Sequence, residues 1–369
     1  MPPIHLLIKP ASLSCNMRCS YCFSLDIADN RHQSSYGVMH LDTLEHVVRK
    51  ALAAAQHQCT FAFQGGEPTL AGLDFFRNLI EFVGRHNRKR LKIDYAIQTN
   101  GYCIDRQWAA FLSEHGFLVG LSLDGVKNIH DLHRRDPAGK GTFSKVMRAA
   151  QLFNGHGVQY NILSVITADT VKNIGQIYGF FSRNHFLYQQ YIPCLDPLKE
   201  ARGQQNYSLT PQLYGEFLCK LFDLWYHDFT RGKRVSVRYF DNLMQMMAGY
   251  PPESCAMIGH CTRQIVVEAD GCVYPCDFYV LDEYRLGNLR EEDFPQIEAA
   301  RDKLGFIGLS LQKSPKCSEC RWYPLCRGGC RRDREPFPSL NKYCAAYKEF
   351  FEYAYGRMEK IAKKIRLLL

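Results

Sequence analysis

Six short β-type runs alternate with amphipathic helical patterns, and this alternation restricts the fold more than any other feature of the sequence. Five helical segments, such as LDTLEHVVRKALAAAQ and LDFFRNLIEFVGRH, separate the runs. This order predicts an α/β protein with a parallel sheet. Six units are too few for a closed eight-stranded barrel, so we expect an open, partial (β/α)6 barrel. The candidate strands are IHLLIK (4–9), CTFAFQ (59–64), LKIDYAIQT (91–99), FLVGLSL (117–123), VQYNILSVIT (158–167) and FLYQQYI (186–192).

The composition changes after a long helix predicted over residues 210–231, with Thr210 as N-cap and Pro211 in its first turn. Residues 233–344 are rich in Cys, Gly and Arg, and they contain a hairpin signal at Asp270-Gly271. We expect a barrel domain over 1–232, a small metal-organised domain over 233–344 and an amphipathic helix over 345–369. The basic residues of that helix are typical of a solvated face, and a membrane-surface role is the alternative.

The remaining composition indicates a globular cytoplasmic protein. No apolar run approaches the roughly 18–20 residues of a membrane span, and the opening MPPIHLLIKPAS is too weakly apolar for a signal peptide. The formal charge of +9 counts cysteines as neutral, and metal-bound thiolates would cancel much of it. Charge alone therefore predicts no nucleic-acid partner.

Three closely spaced cysteines follow the first strand. Cys15, Cys19 and Cys22 lie in SLSCNMRCSYCFS with the spacing C-x3-C-x2-C. A structural zinc ion needs four ligands, and the nearest histidine is His32. A 4Fe–4S cluster has four irons, so three thiolates leave one iron open for a small molecule. The spacing favours such a cluster over zinc.

The chain has sixteen cysteines, and a second group lies near the carboxyl end. Its densest block, CSECRWYPLCRGGC, has the spacing C-x2-C-x5-C-x3-C and indicates metal binding. Two complete sets of four ligands are possible, either as two zinc ribbons or as two further iron–sulfur clusters. The group consists of Cys255, Cys261, Cys276, Cys317, Cys320, Cys326, Cys330 and Cys344. We expect the remaining cysteines to be packed as small apolar side chains: Cys59, Cys103, Cys194, Cys219 and Cys272.

The C-x3-C-x2-C motif with an aromatic residue before its last cysteine resembles the radical S-adenosylmethionine (SAM) enzymes. In that family the open iron binds SAM, and one electron cleaves SAM to a 5′-deoxyadenosyl radical that abstracts hydrogen. Four segments follow predicted strands, as the SAM-contacting segments of the family do. They are QGGEP (64–68), GLSLDG, HRRD and CLDP. The SAM contacts that the resemblance implies are Tyr21, Gly66, Ser122, Arg134 and Leu195. Arg135, which follows Arg134 in HRRD, is the alternative for the arginine.

The carboxyl-terminal cysteine pattern resembles the SPASM extension of radical SAM enzymes, which holds two auxiliary 4Fe–4S clusters. The resemblance therefore implies three clusters in all. It also implies an interleaved ligand pairing, with Cys255, Cys261, Cys276 and Cys330 on the nearer auxiliary cluster and Cys317, Cys320, Cys326 and Cys344 on the farther one.

The whole chain resembles the anaerobic sulfatase-maturating enzymes, through FAFQGGEPTLAGLDFF, QTNG, SVRYFDNL, VYPCDFYVLDEYRLGN and CRGGCRR. These enzymes oxidise a Cys or Ser in a C/S-x-P/A-x-R segment of an unfolded sulfatase to formylglycine. The resemblance implies Asp277, next to Cys276, as the base, Gln64 as a peptide contact, and a flavodoxin- or ferredoxin-type electron donor. Ser24 stands where family members often carry an aromatic residue.

Two other functions remain open from the sequence. One is a SPASM enzyme that crosslinks a peptide through a thioether; such enzymes often carry an amino-terminal peptide-binding module, for which the first strand leaves no room. The other is a zinc protein that binds nucleic acid through its Arg cluster, but the expected base-stacking motifs are absent.

Overall fold

One ten-stranded sheet forms the centre of the molecule. The computed structural model describes residues 3–336 and 339–368. The sheet order is β10-β9-β8-β1-β2-β3-β4-β5-β6-β7. Its strands are β1 (Ile4–Ile8), β2 (Gln58–Phe63), β3 (Lys92–Thr99), β4 (Leu118–Ser122), β5 (Tyr160–Ile166), β6 (Tyr188–Pro193), β7 (Ser236–Val237), β8 (Ile265–Val267), β9 (Cys272–Tyr274) and β10 (Gly287–Asn288).

Strands β1 to β6 are the six predicted strands, and each pairs in parallel with the next along the chain. Their bounds lie within two residues of those expected from the sequence. Alternate side chains such as Leu6, Ile8, Phe61 and Phe63 are buried in the main core. The predicted α/β fold with an open parallel array is confirmed.

The crossovers between these strands carry the five predicted helices and two short additional ones. The additional helices α1 and α5 follow the cysteine loop and β4. The α-helices are α1 (Phe23–Asp29), α2 (Leu41–Ala54), α3 (Leu73–His86), α4 (Arg106–Glu114), α5 (Lys127–His133), α6 (Phe143–His156), α7 (Ala168–Arg183), α8 (Pro211–Thr230), α9 (Arg238–Ala248), α10 (Cys255–Ile258), α11 (Phe294–Leu304), α12 (Phe306–Leu311), α13 (Tyr323–Cys326) and α14 (Cys344–Leu368).

Helix α8 is the predicted linking helix, and α14 is the predicted carboxyl-terminal one, of which residue 369 lies outside the described residues. The Thr210 hydroxyl caps α8 by accepting the Leu213 N–H at 3.2 Å. The apolar stripe of α14, including Phe350 and Met358, is buried against α8 and α9. On the other side of the helix, Lys348, Lys360, Lys363 and Lys364 are exposed. No helix in the described part of the chain combines the length and apolarity that a bilayer crossing needs.

The cysteine-rich region joins the same sheet. Its predicted hairpin forms with Asp270-Gly271 at the turn, and β8 then pairs in parallel with the outer edge of β1. Beyond the strand, the Lys9 N–H donates to the Val267 carbonyl at 2.8 Å. The sheet therefore runs across the boundary expected near residue 232, and the domain limits stay a prediction.

A buried ion pair fixes this junction. Arg31 Nη1 lies 2.7 Å from Glu268 Oε2, and the two side chains are 1% and 0% exposed. Arg31 Nη2 also donates to Ser12 Oγ at 3.1 Å, at the start of the cysteine loop. The pair therefore links the hairpin to the loop that carries the first three cysteines.

We predict that Arg31→Met destabilises the protein by about 3 kcal/mol, because Glu268 would keep a buried charge without its partner. Chemical unfolding followed by circular dichroism under anaerobic conditions measures the loss. Arg31→Met/Glu268→Gln should recover part of it. Arg77→Met is the control, since its pair with Asp74 is 57% and 86% exposed and should contribute less than about 1 kcal/mol. Equal losses in the Arg31 and Arg77 variants would contradict the assignment.

Candidate active site and cysteine clusters

The residues expected to contact SAM lie at one edge of the sheet. The three-cysteine loop follows β1, Gly66 follows β2, Ser122 ends β4, and Leu195 follows β6. Because these strands are parallel, their carboxyl ends meet at the same edge, where ligands bind in such sheets. Ser122 and Leu195 are half-buried and line this edge.

Gly66 allows the loop after β2 to press against the cysteine loop. Its φ is +54°, and a Cβ at this position would lie 2.1 Å from the Ser14 carbonyl oxygen. The next residue, Glu67, donates its N–H to that same oxygen at 2.8 Å. A side chain at Gly66 would therefore separate the two loops.

Glu67 organises this edge, although the sequence interpretation gave it no role. Its buried carboxylate accepts hydrogen bonds from Thr69, from the Thr99 hydroxyl at 2.7 Å and from the Asn100 N–H at 2.7 Å. Burial raises the pKa of Glu67 above its usual value, and these donors offset part of the rise. Asn100 in turn donates to Asn16 Oδ1 at 2.8 Å inside the cysteine loop. The QGGEP segment after β2 and the QTNG segment at the end of β3 thus both form hydrogen bonds with the cysteine loop.

The first three thiols lie close enough to influence one another. Burial raises the pKa of Cys15 to about 11 and that of Cys19 to about 12, and the neighbouring thiols of the motif add to both. Such thiols are protonated at neutral pH, so a metal that binds them must displace the protons. The loop thus brings three candidate thiol ligands near one another.

Arg134 lies beside this loop and is held by a carboxylate. Its Nε and Nη2 contact the two oxygens of Asp124 at 2.8 and 3.3 Å, and the Tyr21 hydroxyl donates to the same group. Burial opposes the charge of Asp124, but Arg134 outweighs it and keeps the pKa of Asp124 below its usual value. Arg135 is exposed. Arg134 is therefore the arginine that the fold directs toward the cysteine loop.

Asp277 is tied to the carboxyl ends of two barrel strands. One oxygen pairs with the buried ammonium of Lys9, and Oδ2 accepts a hydrogen bond from Gln64 Nε2 at 2.7 Å. The stem of Lys9 fills the space where Gly65 has no side chain. Sequence reasoning missed Lys9, because one lysine at the end of an apolar strand forms no pattern.

Ser24 is buried in α1, beside an aromatic contact between the two halves of the site. Phe23 and Phe278 meet edge to face with ring centroids 5.1 Å apart. Phe278 directly follows Asp277. The residues around Ser24 thus pack on the segment that carries Asp277.

The cysteines near the carboxyl end form two sets in space. Burial raises the pKa of Cys276, and Cys330 and Cys261 raise it further. The pKa of Cys330 rises for the same reasons, with Cys255 and Cys261 as its neighbours. In the second set, Cys344, Cys317 and Cys320 surround Cys326 and raise its pKa, already increased by burial, to about 11. The members of each set are those that the family resemblance groups together, and their role as cluster ligands stays a prediction.

A cavity marks the second set. It is lined by Cys317, Cys320, Cys326 and Cys344, together with Lys316 and Lys348. Within residues 3–336 and 339–368, no three His, Cys, Asp or Glu side chains converge on a single-ion position. Four thiols around one cavity supply the number of ligands that one 4Fe–4S cluster or one structural zinc ion needs.

The other five cysteines differ in environment. Cys59, Cys194 and Cys272 are buried as expected, and Cys219 is half-buried. The expectation was wrong for Cys103, which is exposed and accepts a hydrogen bond from Asn16 Nδ2 at 3.0 Å. Cys103 follows the QTNG turn rather than lying in a strand or helix interior.

Comparison with known proteins separates the chain into the same two regions. Residues 11–181 match the Radical SAM superfamily, and residues 255–327 match the SPASM iron–sulfur cluster-binding domain. These matches include all three cysteines of the first motif and six of the later eight.

Relatives match over the full length. A cysteine-type anaerobic sulfatase-maturating enzyme of Clostridium perfringens is 51% identical, over 99% of this chain and 100% of that protein. A serine-type enzyme of Bacteroides thetaiotaomicron is 29% identical, over 98% and 92%. The solved structure of native anSMEcpe with bound AdoMet and Cp18Cys peptide matches with a TM-score of 0.94 at 50% identity, over 99% of this chain and all of that one.

We predict that His130 makes the stability of this site pH-dependent. Its Nδ1 accepts the Asp124 N–H at 3.3 Å, and burial lowers its pKa to about 4. The unfolded chain takes up this proton near pH 6.5, so the contribution is full above that pH and is lost as pH falls toward 4. Because the unfolded chain is protonated at His130 and the folded chain is not, the free energy of unfolding should fall by about 1 kcal/mol between about pH 7.5 and about pH 5.5.

Unfolding of His130→Gln across that range measures the contribution, since the slope with pH should flatten. His156→Gln is the control, because His156 is exposed and its loss should leave the slope unchanged. A His130 variant with the parent slope would show that another group causes the pH dependence.

Proposed function

This chain belongs to the anaerobic sulfatase-maturating enzymes, which are radical SAM proteins with a SPASM domain, and we propose that it oxidises a cysteine of an unfolded sulfatase to formylglycine. Two relatives at 51% and 48% identity are cysteine-type enzymes, whereas the serine-type relatives reach 29% and 30%. This difference supports cysteine as the target residue.

Three 4Fe–4S clusters are proposed as resident cofactors. Cys15, Cys19 and Cys22 would hold the one that binds SAM, and each set of four would hold one auxiliary cluster. When bound, the first cluster and SAM supply the one-electron chemistry that removes a hydrogen atom from the target. The three groups of neighbouring thiols support this assignment.

The proposed SAM contacts are the residues at the sheet edge. Gly66 would let backbone groups approach the ligand closely, and Ser122 and Leu195 would border it from β4 and β6. Arg134, kept charged beside Asp124, would supply positive charge for the SAM carboxylate. Tyr21 packs with its hydroxyl on Asp124 and would fix Arg134 and the loop.

One observation carries the choice of reaction: the carboxylate of Asp277 lies between the carboxyl ends of β1 and β2 and directly follows Cys276. We propose that Oδ2 takes the thiol proton of the substrate while Gln64 binds the peptide. Lys9 compensates the buried negative charge of Asp277. The target CH2–SH group then loses one hydrogen atom, one proton and one electron to become a thioaldehyde, which water converts to the aldehyde and hydrogen sulfide.

SAM cleavage takes up one electron and the oxidation releases one, so each turnover is redox-neutral overall. An external electron is needed to reduce the first cluster before turnover, and we propose a flavodoxin- or ferredoxin-type donor for that step. We also propose that the protein is cytoplasmic and that it acts without a nucleic-acid or membrane partner. The peptide-binding SuiB of Streptococcus suis shares the fold, with a TM-score of 0.60 at 18% identity, and this likeness extends no further than the fold.

We predict that Asp277→Asn lowers formylglycine formation by roughly 10²- to 10⁴-fold, the usual effect of losing a general base. SAM cleavage should continue, because Asp277 is not among the proposed SAM contacts. Mass spectrometry of the peptide and chromatography of deoxyadenosine measure the two outcomes. Asp302→Asn is the control, since Asp302 is exposed in the same region and should leave both rates unchanged.

Asp277→Asn also leaves Lys9 as a buried charge without its partner. Lys9→Met/Asp277→Asn removes both charges and separates folding from chemistry. This double variant should regain stability but not peptide oxidation. Recovery of oxidation in the double variant, or a parent rate in Asp277→Asn, would exclude Asp277 as the base.

A further inference from the structure

Two buried arginines lie beside the nearer set of cysteines. The nearer set consists of Cys255, Cys261, Cys276 and Cys330. Arg331 directly follows Cys330, and Arg334 lies one turn further along the same short helix. The two arginines are 8% and 3% exposed. Buried charges are screened by salt much less than exposed ones, so these two act at close range on whatever the cysteines bind.

The guanidinium group of Arg331 lies against two aromatic rings. Its Cζ is 4.3 Å from the centroid of the Phe306 ring and 5.2 Å from that of Tyr279. Its Nη1 also donates to the Phe306 carbonyl at 3.0 Å. The Tyr279 N–H in turn donates to the Cys276 carbonyl at 3.0 Å. The charge of Arg331 is therefore fixed among the segments that carry Cys276 and Cys330.

Arg334 is connected to a third cysteine through the end of α12. Its Nη2 donates to the Ser310 carbonyl at 2.9 Å, and its Nη1 donates to the Gln312 carbonyl at 3.0 Å. The hydroxyl of Ser310 accepts the Cys261 N–H at 2.9 Å. Burial raises the pKa of Cys261, whereas Arg331 and Arg334 lower it. Both guanidinium groups are therefore close enough to act electrostatically on this set.

Carboxylates also lie near the nearer set, and each of them has a cation of its own. Burial raises the pKa of Cys330, and Asp333 raises it further. Burial likewise raises the pKa of Cys276, and Asp277 adds to that rise. The ion pairs are Asp277 with Lys9, Asp333 with Lys342 at 3.6 Å, and Glu335 with Arg332 at 3.3 Å. Arg331 and Arg334 therefore add positive charge to a background in which these carboxylates are already offset.

The thiols and the charges of the nearer set together fit an anionic iron–sulfur group. Four thiols supply the ligands of one 4Fe–4S cluster, which is negatively charged when thiolates hold it and gains a further negative charge when it is reduced. Nearby positive charge stabilises the reduced form more than the oxidised form. The local charge thus raises the reduction potential of such a cluster.

We propose that Arg331 and Arg334 raise the reduction potential of a 4Fe–4S cluster at the nearer set, which makes it a better acceptor for the electron that the target residue releases. Loss of that electron turns the deprotonated target radical into the thioaldehyde, and the cluster is reduced by one electron. The proposed base, Asp277, directly follows Cys276 of this set, so the proton and the electron leave the target on the same side. This inference rests on the proposed function, because it requires a cluster at these four cysteines.

The test is a redox titration of the cluster-loaded enzyme, followed by electron paramagnetic resonance. Arg331→Gln and Arg334→Gln should each lower the midpoint potential of the nearer cluster by about 59 mV or more, which is tenfold in the equilibrium constant of a one-electron step. Arg331→Lys and Arg334→Lys keep the charge and should retain most of the parent potential. Because lysine cannot reproduce the planar, stacked contacts of arginine, a purely structural role would shift the potential in the lysine variants as well.

Two further variants control for net charge and for the sign of the effect. Arg148→Gln removes an exposed charge from α6 and should leave the potential of the nearer cluster unchanged. Asp333→Asn removes a negative charge next to this set and should raise the potential. The other two clusters serve as internal references, and variants that lack the cysteines of one cluster at a time assign the signals.

Parent-like potentials in Arg331→Gln and Arg334→Gln would overturn the proposal. So would equal shifts in the glutamine and lysine variants, or a shift of the same size in Arg148→Gln. If the glutamine variants lose iron, Asp333→Asn decides, and a potential that does not rise in this variant contradicts the proposal.

The titration is carried out without peptide, and this separates the inference from the proposed reaction. If the parent oxidises the peptide but the potentials of the glutamine variants do not move, only the effect of the arginines is wrong. If the potentials shift as expected but the parent forms no aldehyde on a peptide, the reaction is wrong and the effect of the arginines stands. A parent that binds no iron at the nearer set would overturn both.

Discussion

The rest of the structure depends on the parallel pairing of β8 with the outer edge of β1. The register sets Ile8 opposite Val267, and from there the chain brings Glu268 to Arg31 and Asp277 to Lys9. Buried charges are stable only with their partners in place, so these pairs specify one way for the cysteine-rich region to join the barrel. Strand β1 also leads into the loop of the first three cysteines. Asp277, the candidate base, therefore lies at the sheet edge where we propose that SAM binds.

Much of the fold follows from local pattern. Six β-type runs with intervening amphipathic helices predicted the parallel array, Asp270-Gly271 predicted the hairpin, and Thr210-Pro211 predicted the start of α8. The C-x3-C-x2-C spacing likewise predicted that the first three thiols lie together, because a short spacing keeps them on one loop. The assignment of the two interleaved sets came from family resemblance, and the structure places the same thiols near one another.

The remainder depends on contacts between distant segments. Pairing of residues 6–8 with residues 265–267 has no local signal, and so the extended sheet was not predicted. The roles of Lys9 and Glu67 have no local signal either, because each is a single charged residue whose partners come from distant segments. Cys103 was expected to be packed, but a cysteine after a turn has no periodic pattern that indicates its exposure.

The central claim is that this chain converts a cysteine of a sulfatase segment to formylglycine. Its most direct test is anaerobic incubation of the cluster-loaded enzyme with SAM, a reductant and matched peptides that carry Cys or Ser in the C/S-x-P/A-x-R context, read by mass spectrometry after aldehyde trapping. The account predicts a trapped aldehyde on the Cys peptide, with deoxyadenosine formed alongside it. Deoxyadenosine without any aldehyde, or a thioether in the Cys peptide, would contradict it.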